Sequence, residues 1–339
     1  MATLSLCMIV KDESAFLEHC IDSVKDVVDE IVIGVDSRSK DNTREMAKRL
    51  GNIVFDFDWA DDFSKARNLT LDKATSNWIL VLDADELVDE EGKKEISRLI
   101  NDRENCLNGI IGFKVDQRTH HKKPGIDAKM STDSKMLKSG FSGFESSKLV
   151  RLFKNHPKIR FRNKVHELVE GSITDSKGDI IQSAIIVHHF SELKGSIKKN
   201  EKTGTYADLI WKQLEDEPEN PRHNRTAALA FLDAGRKDLA LKYFMRAVKF
   251  NPNIKGVYSH IGRIYLEKGD VDNAIKFFNV AVGIDKNDTA SINNLAFIYM
   301  NLGKLDTAKA LLEKAIAKDP DNAVLKENFK KLKEKMSKK

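Results

Sequence analysis

The chain has 339 residues, 41% of them hydrophobic, and a formal net charge of +5, a composition that allows two separately cored soluble domains. No run of 18 apolar residues occurs, which excludes a membrane-spanning helix, and Cys7, Cys20 and Cys106 are too few and too widely spaced for a disulfide framework or a zinc site. Seven Lys against Glu327 and Glu334 in residues 323–339 account for the whole positive excess, so the charge does not point to nucleic acid. The N-terminal segment has neither a basic leader nor an apolar signal region, and a cytoplasmic location is expected.

Strand-like runs at 3–10, 30–35, 52–57 and 77–82 alternate with amphipathic stretches at 13–27, 41–50 and 62–75. This is the β-α-β rhythm of a parallel sheet. The run Trp78-Ile79-Leu80-Val81-Leu82 is apolar throughout, as a strand buried on both faces requires. Asp83 and Asp85 follow it, at the strand end where open α/β sheets bind ligands. Two carboxylates there repel one another unless a cation sits between them. Their hard oxygens suit Mg²⁺ or Mn²⁺, with water and substrate phosphates completing the shell. The plainer alternative is that they cap the next helix.

Further along, a helix is expected over 89–103 and a strand over 108–116. Residues 117–146 are polar, rich in Gly and Lys and without period, and are expected to form a long loop or lid. Strand-like pieces resume at 147–154, 158–170 and 180–190 and would give the sheet a mixed edge. Residues 194–217 suggest a joining helix, closed by Glu217-Pro218-Glu219-Asn220-Pro221.

From 221 the pattern changes to a repeat. Gly235, Gly269 and Gly303 are spaced by 34 residues, as are Ala240, Ala274 and Ala308, and Ala247, Ala281 and Ala315. Phe231, Tyr265 and Tyr299 keep the register, and so do Phe244, Phe278 and Leu312. A 34-residue period with small residues at these offsets is the tetratricopeptide pattern. It predicts three helical pairs over 221–254, 255–288 and 289–322, closed by a polar helix over 323–339.

The first half resembles a family 2 glycosyltransferase with the GT-A fold. The likeness rests on Cys7-Met8-Ile9-Val10-Lys11-Asp12-Glu13, Val35-Asp36-Ser37-Arg38-Ser39-Lys40-Asp41-Asn42-Thr43 and Asp61-Asp62-Phe63-Ser64-Lys65-Ala66-Arg67-Asn68. It continues through Trp78 to Glu86, Arg151-Leu152-Phe153-Lys154-Asn155, Val165-His166-Glu167 and Val187-His188-His189-Phe190. With its repeats, the whole chain is similar to bacterial peptide- and flagellin-modifying transferases of this architecture. Two departures stand out. Ser37-Arg38 replaces the Gly-containing turn usual after the second strand, and the 117–146 insert is long and basic.

The resemblance implies a catalytic domain over 1–193, a joining segment over 194–220, and repeats that dock a protein or peptide acceptor or a partner, with a homo-oligomer left open. It implies an inverting transfer from a nucleoside-diphosphate sugar, a UDP-sugar by preference, with Mn²⁺ or Mg²⁺ as cofactor. Donor binding would fall to Glu13, Asp36, Arg67 and Asp83. The metal would be held by Asp85 and His188, with Asp83 beside them, and Glu167 would be the general base. Each has a plainer alternative: a loop or helix cap for Asp36, a helix N-terminal charge for Glu13, an ion pair with Asp61 or Asp62 for Arg67, one with Lys164 or Arg162 for Glu167, and packing for His188. The rival functions are a nonenzymatic repeat scaffold with a vestigial transferase domain and a sugar nucleotidyltransferase. The latter needs a Gly-rich phosphate loop after the first strand, where Lys11-Asp12-Glu13 stands.

Overall fold

The computed structural model describes residues 2–107, 109, 111–123, 129–194, 209–320 and 322–337. The chain divides into two compact units, one built on a sheet with flanking helices and the other on helices alone. The expected joining helix falls largely on 195–208, outside the described residues; the part within them is helical over 209–216.

The sheet unit contains strands β1 (Leu4–Val10), β2 (Glu30–Asp36), β3 (Ile53–Phe57), β4 (Trp78–Val81), β5 (Glu86–Val88), β6 (Ile111–His121), β7 (Gly143–Lys154) and β8 (Asp179–His189). Their order is β3-β2-β1-β4-β7-β6-β8-β5. The first four are mutually parallel, with Leu6 opposite both Ile31 and Leu80. β4 then pairs antiparallel with β7, and the far edge is mixed. Alternate residues of the central strands feed two cores. Leu4, Leu6, Met8 and Val10 with Trp78, Leu80 and Leu82 face one; Cys7, Ile79 and Val81 face the other. Burial on both faces is why these strands are apolar without alternation. It also pushes the Cys7 thiol up to about 12.

Helices α1 (Leu17–Asp22), α2 (Thr43–Leu50) and α3 (Phe63–Leu71) fill the crossovers, and α4 (Glu90–Asn101) follows β5. Asp62 and Asp89 cap α3 and α4 by accepting from Lys65 N at 3.0 Å and Gly92 N at 2.7 Å.

Two expectations about this unit fail. Residues 117–146 are not one loop: β6 runs on to His121 and β7 returns from Gly143, pairing Gln117 with Ser147 and His121 with Gly143. These arms are held by backbone pairing and polar cross-strand contacts, so they need no apolar alternation. Asp116 takes Lys148 at 3.0 Å and Arg118 at 3.1 Å, and Arg118 lies over the Phe144 ring. The expected strand at 158–170 is reduced to one bridge, Arg162 to Leu168. Asn163 (φ 79) and His166 (φ 52) sit in the left-handed region between them, where extended pairing stops.

In the helical unit, the pairs Pro221–Asp233 with Lys237–Phe250, Val257–Glu267 with Val271–Ile284, and Thr289–Asn301 with Leu305–Lys318 stack in sequence, and Ala323–Met336 packs on the last. The periodic glycines have φ of 72, 79 and 75. Each turns the chain so that the next N–H reaches back to the aromatic carbonyl: Arg236 to Phe231 at 2.8 Å, Asp270 to Tyr265 at 2.9 Å and Lys304 to Tyr299 at 2.9 Å. This is the left-handed C-terminal cap that favours glycine, made identically three times. The periodic alanines are all buried, which lets paired helices approach closely. Among the described residues no helix is long and apolar enough to cross a membrane.

The base of the β6–β7 arms is packed by His120, 2% exposed, against Phe141, Phe144, His188 and Phe190. Burial, with the charges of His188 and Arg118, pushes the His120 imidazole down to about 4. The folded state therefore resists a proton that the unfolded chain accepts near pH 6.5, and stability falls as pH drops from there toward 4. His120→Phe keeps a ring and removes the proton. Its urea-unfolding free energy should decline less over that interval than the wild type's, by up to about 1.4 kcal/mol per pH unit. Identical slopes would show that His120 does not titrate in this way.

Candidate functional site

The loops after β1 and β2 are clamped together. Asp12, left-handed at φ 53, donates its N–H to Ser39 Oγ at 3.0 Å and accepts from Lys40 N at 2.7 Å. Asp41 accepts from Ser14 N and Oγ at 3.1 and 2.6 Å, and the Glu13 N–H donates to Thr43 Oγ1 at 2.7 Å. The segment Ser37–Thr43 is thus a brace for the strand ends. Glu13 and Asp36 are both buried in it. Arg38 grips Asp36 with Nε on Oδ1 at 2.9 Å and Nη2 on Oδ2 at 2.6 Å. Burial works to raise the Asp36 carboxyl, but these bonds and the Arg38 charge hold it below the usual range.

Arg67 and Arg151 build the centre of the site. Arg67, on α3, donates Nε to Glu167 Oε1 at 2.6 Å and Nη2 to Asp83 Oδ1 at 2.7 Å. Arg151, on β7, reaches Asp83 Oδ2 at 3.2 Å and Glu86 Oε1 at 3.1 Å. Glu86 is wholly buried; its Oε2 accepts the Asp83 N–H at 2.8 Å, and Gln117 Nε2 donates to its Oε1. Burial would raise Asp83, yet Arg67 and Arg151 hold it far below the ordinary carboxylate range. Glu86 goes the other way, raised by burial and by Asp83 against the pull of Arg151. Neither Arg67 Nη1 nor Arg151 Nε has a hydrogen-bond partner among the described residues, although both are buried. Such orphaned donors favour an anionic group.

Glu167 is brought into this network by α3. Asn68 clamps Phe161 in both directions, Nδ2 to O at 3.0 Å and N to Oδ1 at 2.9 Å, and Phe63 N donates to Lys164 O at 2.9 Å. Arg67 therefore pairs with Asp83 and Glu167, not with Asp61 or Asp62.

His189, and not the expected His188, lies beside Asp85. His189 Nε2 lies 3.3 Å from Asp85 Oδ2, while His188 faces away, with Nδ1 2.9 Å from His120 Nε2 and Nε2 3.4 Å from Asp89 Oδ2. β8 pairs antiparallel with β5, setting Glu86 opposite His189, and this register decides which ring meets the Asp83–Glu86 turn. Thr119 Oγ1 lies 3.1 Å from His189 Nδ1, and the other ring nitrogen, Nε2, points to Asp85. Burial would lower His189, but the Asp85 hydrogen bond and charge raise it. Asp83 does not join this pair, because both its oxygens are held by guanidinium groups. Among the described residues no group of three or more His, Cys, Asp or Glu converges on a metal position. Asp85 and His189 offer two ligands, the small protein contribution that suits Mg²⁺ or Mn²⁺ completed by water and phosphate oxygens.

The profile of glycosyl transferase family 2 matches residues 5–157, which span β1 to β7 and the Asp83–Glu86 turn. Residues 5–157 are a family 2 glycosyl transferase domain. Tetratricopeptide repeat profiles match residues 225–289 and 265–327. A TPR repeat-containing protein of Synechococcus elongatus is 39% identical over 173 residues, covering 51% of this chain and 37% of that protein. The SPbeta prophage-derived glycosyltransferase SunS of Bacillus subtilis is 28% identical over 224 residues, 65% of this chain and 47% of SunS. An uncharacterized glycosyltransferase of Rickettsia felis is 25% identical over 221 residues, 62% of this chain and 77% of that protein. The chain spans less than half the length of the first two.

Within the transferase domain, sequence reasoning left Arg151, Glu86, Gln117 and His189 without roles. One signal was available for Arg151. A charged residue inside the apolar run Leu149-Val150-Arg151-Leu152-Phe153 needs a buried partner, and Glu86 directly follows Asp85. Arg67→Met should lower the unfolding free energy by about 1.5–3 kcal/mol, because it removes a buried guanidinium from the half-buried Glu167 and from one oxygen of Asp83, whose other oxygen Arg151 still holds. Adding Glu167→Gln should restore more than about 1 kcal/mol of that loss. Urea titration of the four proteins of this cycle measures both quantities, and strictly additive losses would contradict the coupling.

Proposed function

We propose that the transferase domain, taken as residues 1–193, moves a sugar from a nucleoside-diphosphate donor, a UDP-sugar by preference, to an acceptor with inversion at the anomeric carbon. The observation that carries this reading is the pairing of Asp85 with His189 beside two buried arginines, at the strand ends of a family 2 domain. The glycosyltransferase names of SunS and the Rickettsia protein support it.

Asp85 and His189 would hold Mn²⁺ or Mg²⁺, which when bound offsets charge on the leaving diphosphate. The orphaned Nη1 of Arg67 and Nε of Arg151 would meet anionic oxygens of the donor. Glu13 and Asp36, buried at the ends of β1 and β2, would support the nucleoside end from behind. Glu167 would take the acceptor's proton as its nucleophile attacks, while Arg67 fixes the carboxylate in place through Oε1.

The repeats over 221–322, with the capping helix over 323–339, would dock a protein or peptide acceptor and raise its effective concentration at the catalytic domain. Their periodic residues are consumed by packing, which leaves the exposed surface positions for recognition.

Release of nucleoside diphosphate from a panel of UDP-, GDP- and ADP-sugars, with Mn²⁺ and with EDTA, tests the reading. Asp85→Asn and EDTA should each lower turnover by about 10²-fold or more, with the circular dichroism spectrum of the variant unchanged. Full turnover by Asp85→Asn, or indifference to EDTA, would contradict a metal at Asp85.

A further inference from the structure

We infer that Arg38 reads the donor's nucleobase, with Asp36 serving as its orienting partner; this rests on the donor-site reading above. Asp36 is only 3% exposed, and both its oxygens are already held by Arg38. The carboxylate is therefore not presented directly to a ligand. Arg38 is presented instead: its side chain is 48% exposed, at the C-terminal end of β2.

The guanidinium is fixed on two sides. Asp36 takes Nε and Nη2 in a fork, and its Oδ1 also accepts the Arg38 N–H at 2.9 Å. The Trp59 ring lies beneath, with its centroid 5.3 Å from Arg38 Cζ. Trp59 is itself held by Nε1 donating to Asp61 Oδ1 at 3.0 Å and by an edge contact with Phe63 at 4.7 Å. Ser37 Oγ, bonded to Asp58 Oδ1 at 2.8 Å, ties the end of β2 to the segment after β3. Such a guanidinium loses little freedom on binding, so its remaining donors are aimed before a ligand arrives.

Those donors are Nη1 and the second hydrogen of Nη2, and arginine has no acceptor to offer. A base that presents carbonyl oxygens, uracil or guanine, satisfies them. Adenine has no carbonyl oxygen: its acceptors are ring nitrogens, and beside N1 and N7 its amino group meets the guanidinium donor to donor. The flat face of the guanidinium also stacks with a base. Here the Ser37-Arg38 replacement of a glycine-containing turn supplies a recognition group that a glycine could not.

Isothermal titration of the full chain with UDP, GDP and ADP in Mn²⁺ tests this. The wild type should bind UDP or GDP roughly 10- to 100-fold more tightly than ADP, the scale of a charge-assisted hydrogen bond; which of the two is tighter separates uracil from guanine recognition. Arg38→Ala should lose that preference, weakening UDP and GDP while leaving ADP little changed. Arg38→Lys keeps a charge against Asp36 but not the fork, and should lose the preference equally. If either variant keeps the wild-type ratio, or binds UDP more tightly, Arg38 does not read the base. A wild type that favours ADP overturns the inference as well. A wild type that binds none of the three overturns the donor-site reading with it. Asp85→Asn provides the separation: loss of the Mn²⁺ dependence with the base preference intact shows that cation site and base site act independently.

Discussion

The site depends on one buried charge network. Arg67 and Arg151 meet at Asp83, and each carries a further carboxylate, Glu167 on one side and Glu86 on the other. Two guanidinium groups out of water are tolerable only because every partner is ionic and close. That requirement ties together α3, the turn after β4, β7 and the segment at 161–167, which are remote in sequence. The turn carrying Asp85 is held from within by Glu86 and from outside by both arginines. Asp83 is the anchor of the turn, and Asp85 is the carboxylate that lies beside His189.

The same network divides labour between two ends of the reaction. Glu167 and Asp85 are linked through Arg67 and Asp83, so the proposed base and the proposed metal ligand cannot drift independently. Misplacement by an ångström is costly in catalysis, and rigid ion pairs from regular elements limit it better than loop contacts would. At the end of β2 a second pair, Arg38 with Asp36, repeats the device on a smaller scale.

Much of this was legible in the sequence, for physical reasons. The strands β1 to β4 are buried on both faces, so their apolar runs announce them; the repeats must place glycine at a left-handed cap and alanine at close helix contacts, so a 34-residue period survives. Asp83, Asp85, Arg67 and Glu167 stood out in the sequence because they sit at strand ends or in motifs carrying a family likeness, and the structure brings Asp83, Arg67 and Glu167 into one network. What stayed hidden depended on register. One residue of shift on β8 exchanges His188 for His189, and nothing local to Val187-His188-His189-Phe190 fixes it; β5, three residues long, does so from the far edge. The paired arms of β6 and β7 were hidden too, since backbone pairing between polar segments leaves no hydrophobic period. The left-handed Asn163 and His166 could not be foreseen from a stretch that otherwise suggests a strand.

The central claim is that Asp85 and His189 form the cation position at which the donor's diphosphate is held. The most direct measurement is anomalous diffraction at the manganese edge from crystals grown with Mn²⁺ and UDP. A peak within coordination distance of Asp85 and His189 Nε2, bridged to the diphosphate, is the predicted result. A peak held by His188 and Asp89, or a diphosphate bound without metal at the strand ends, would contradict it.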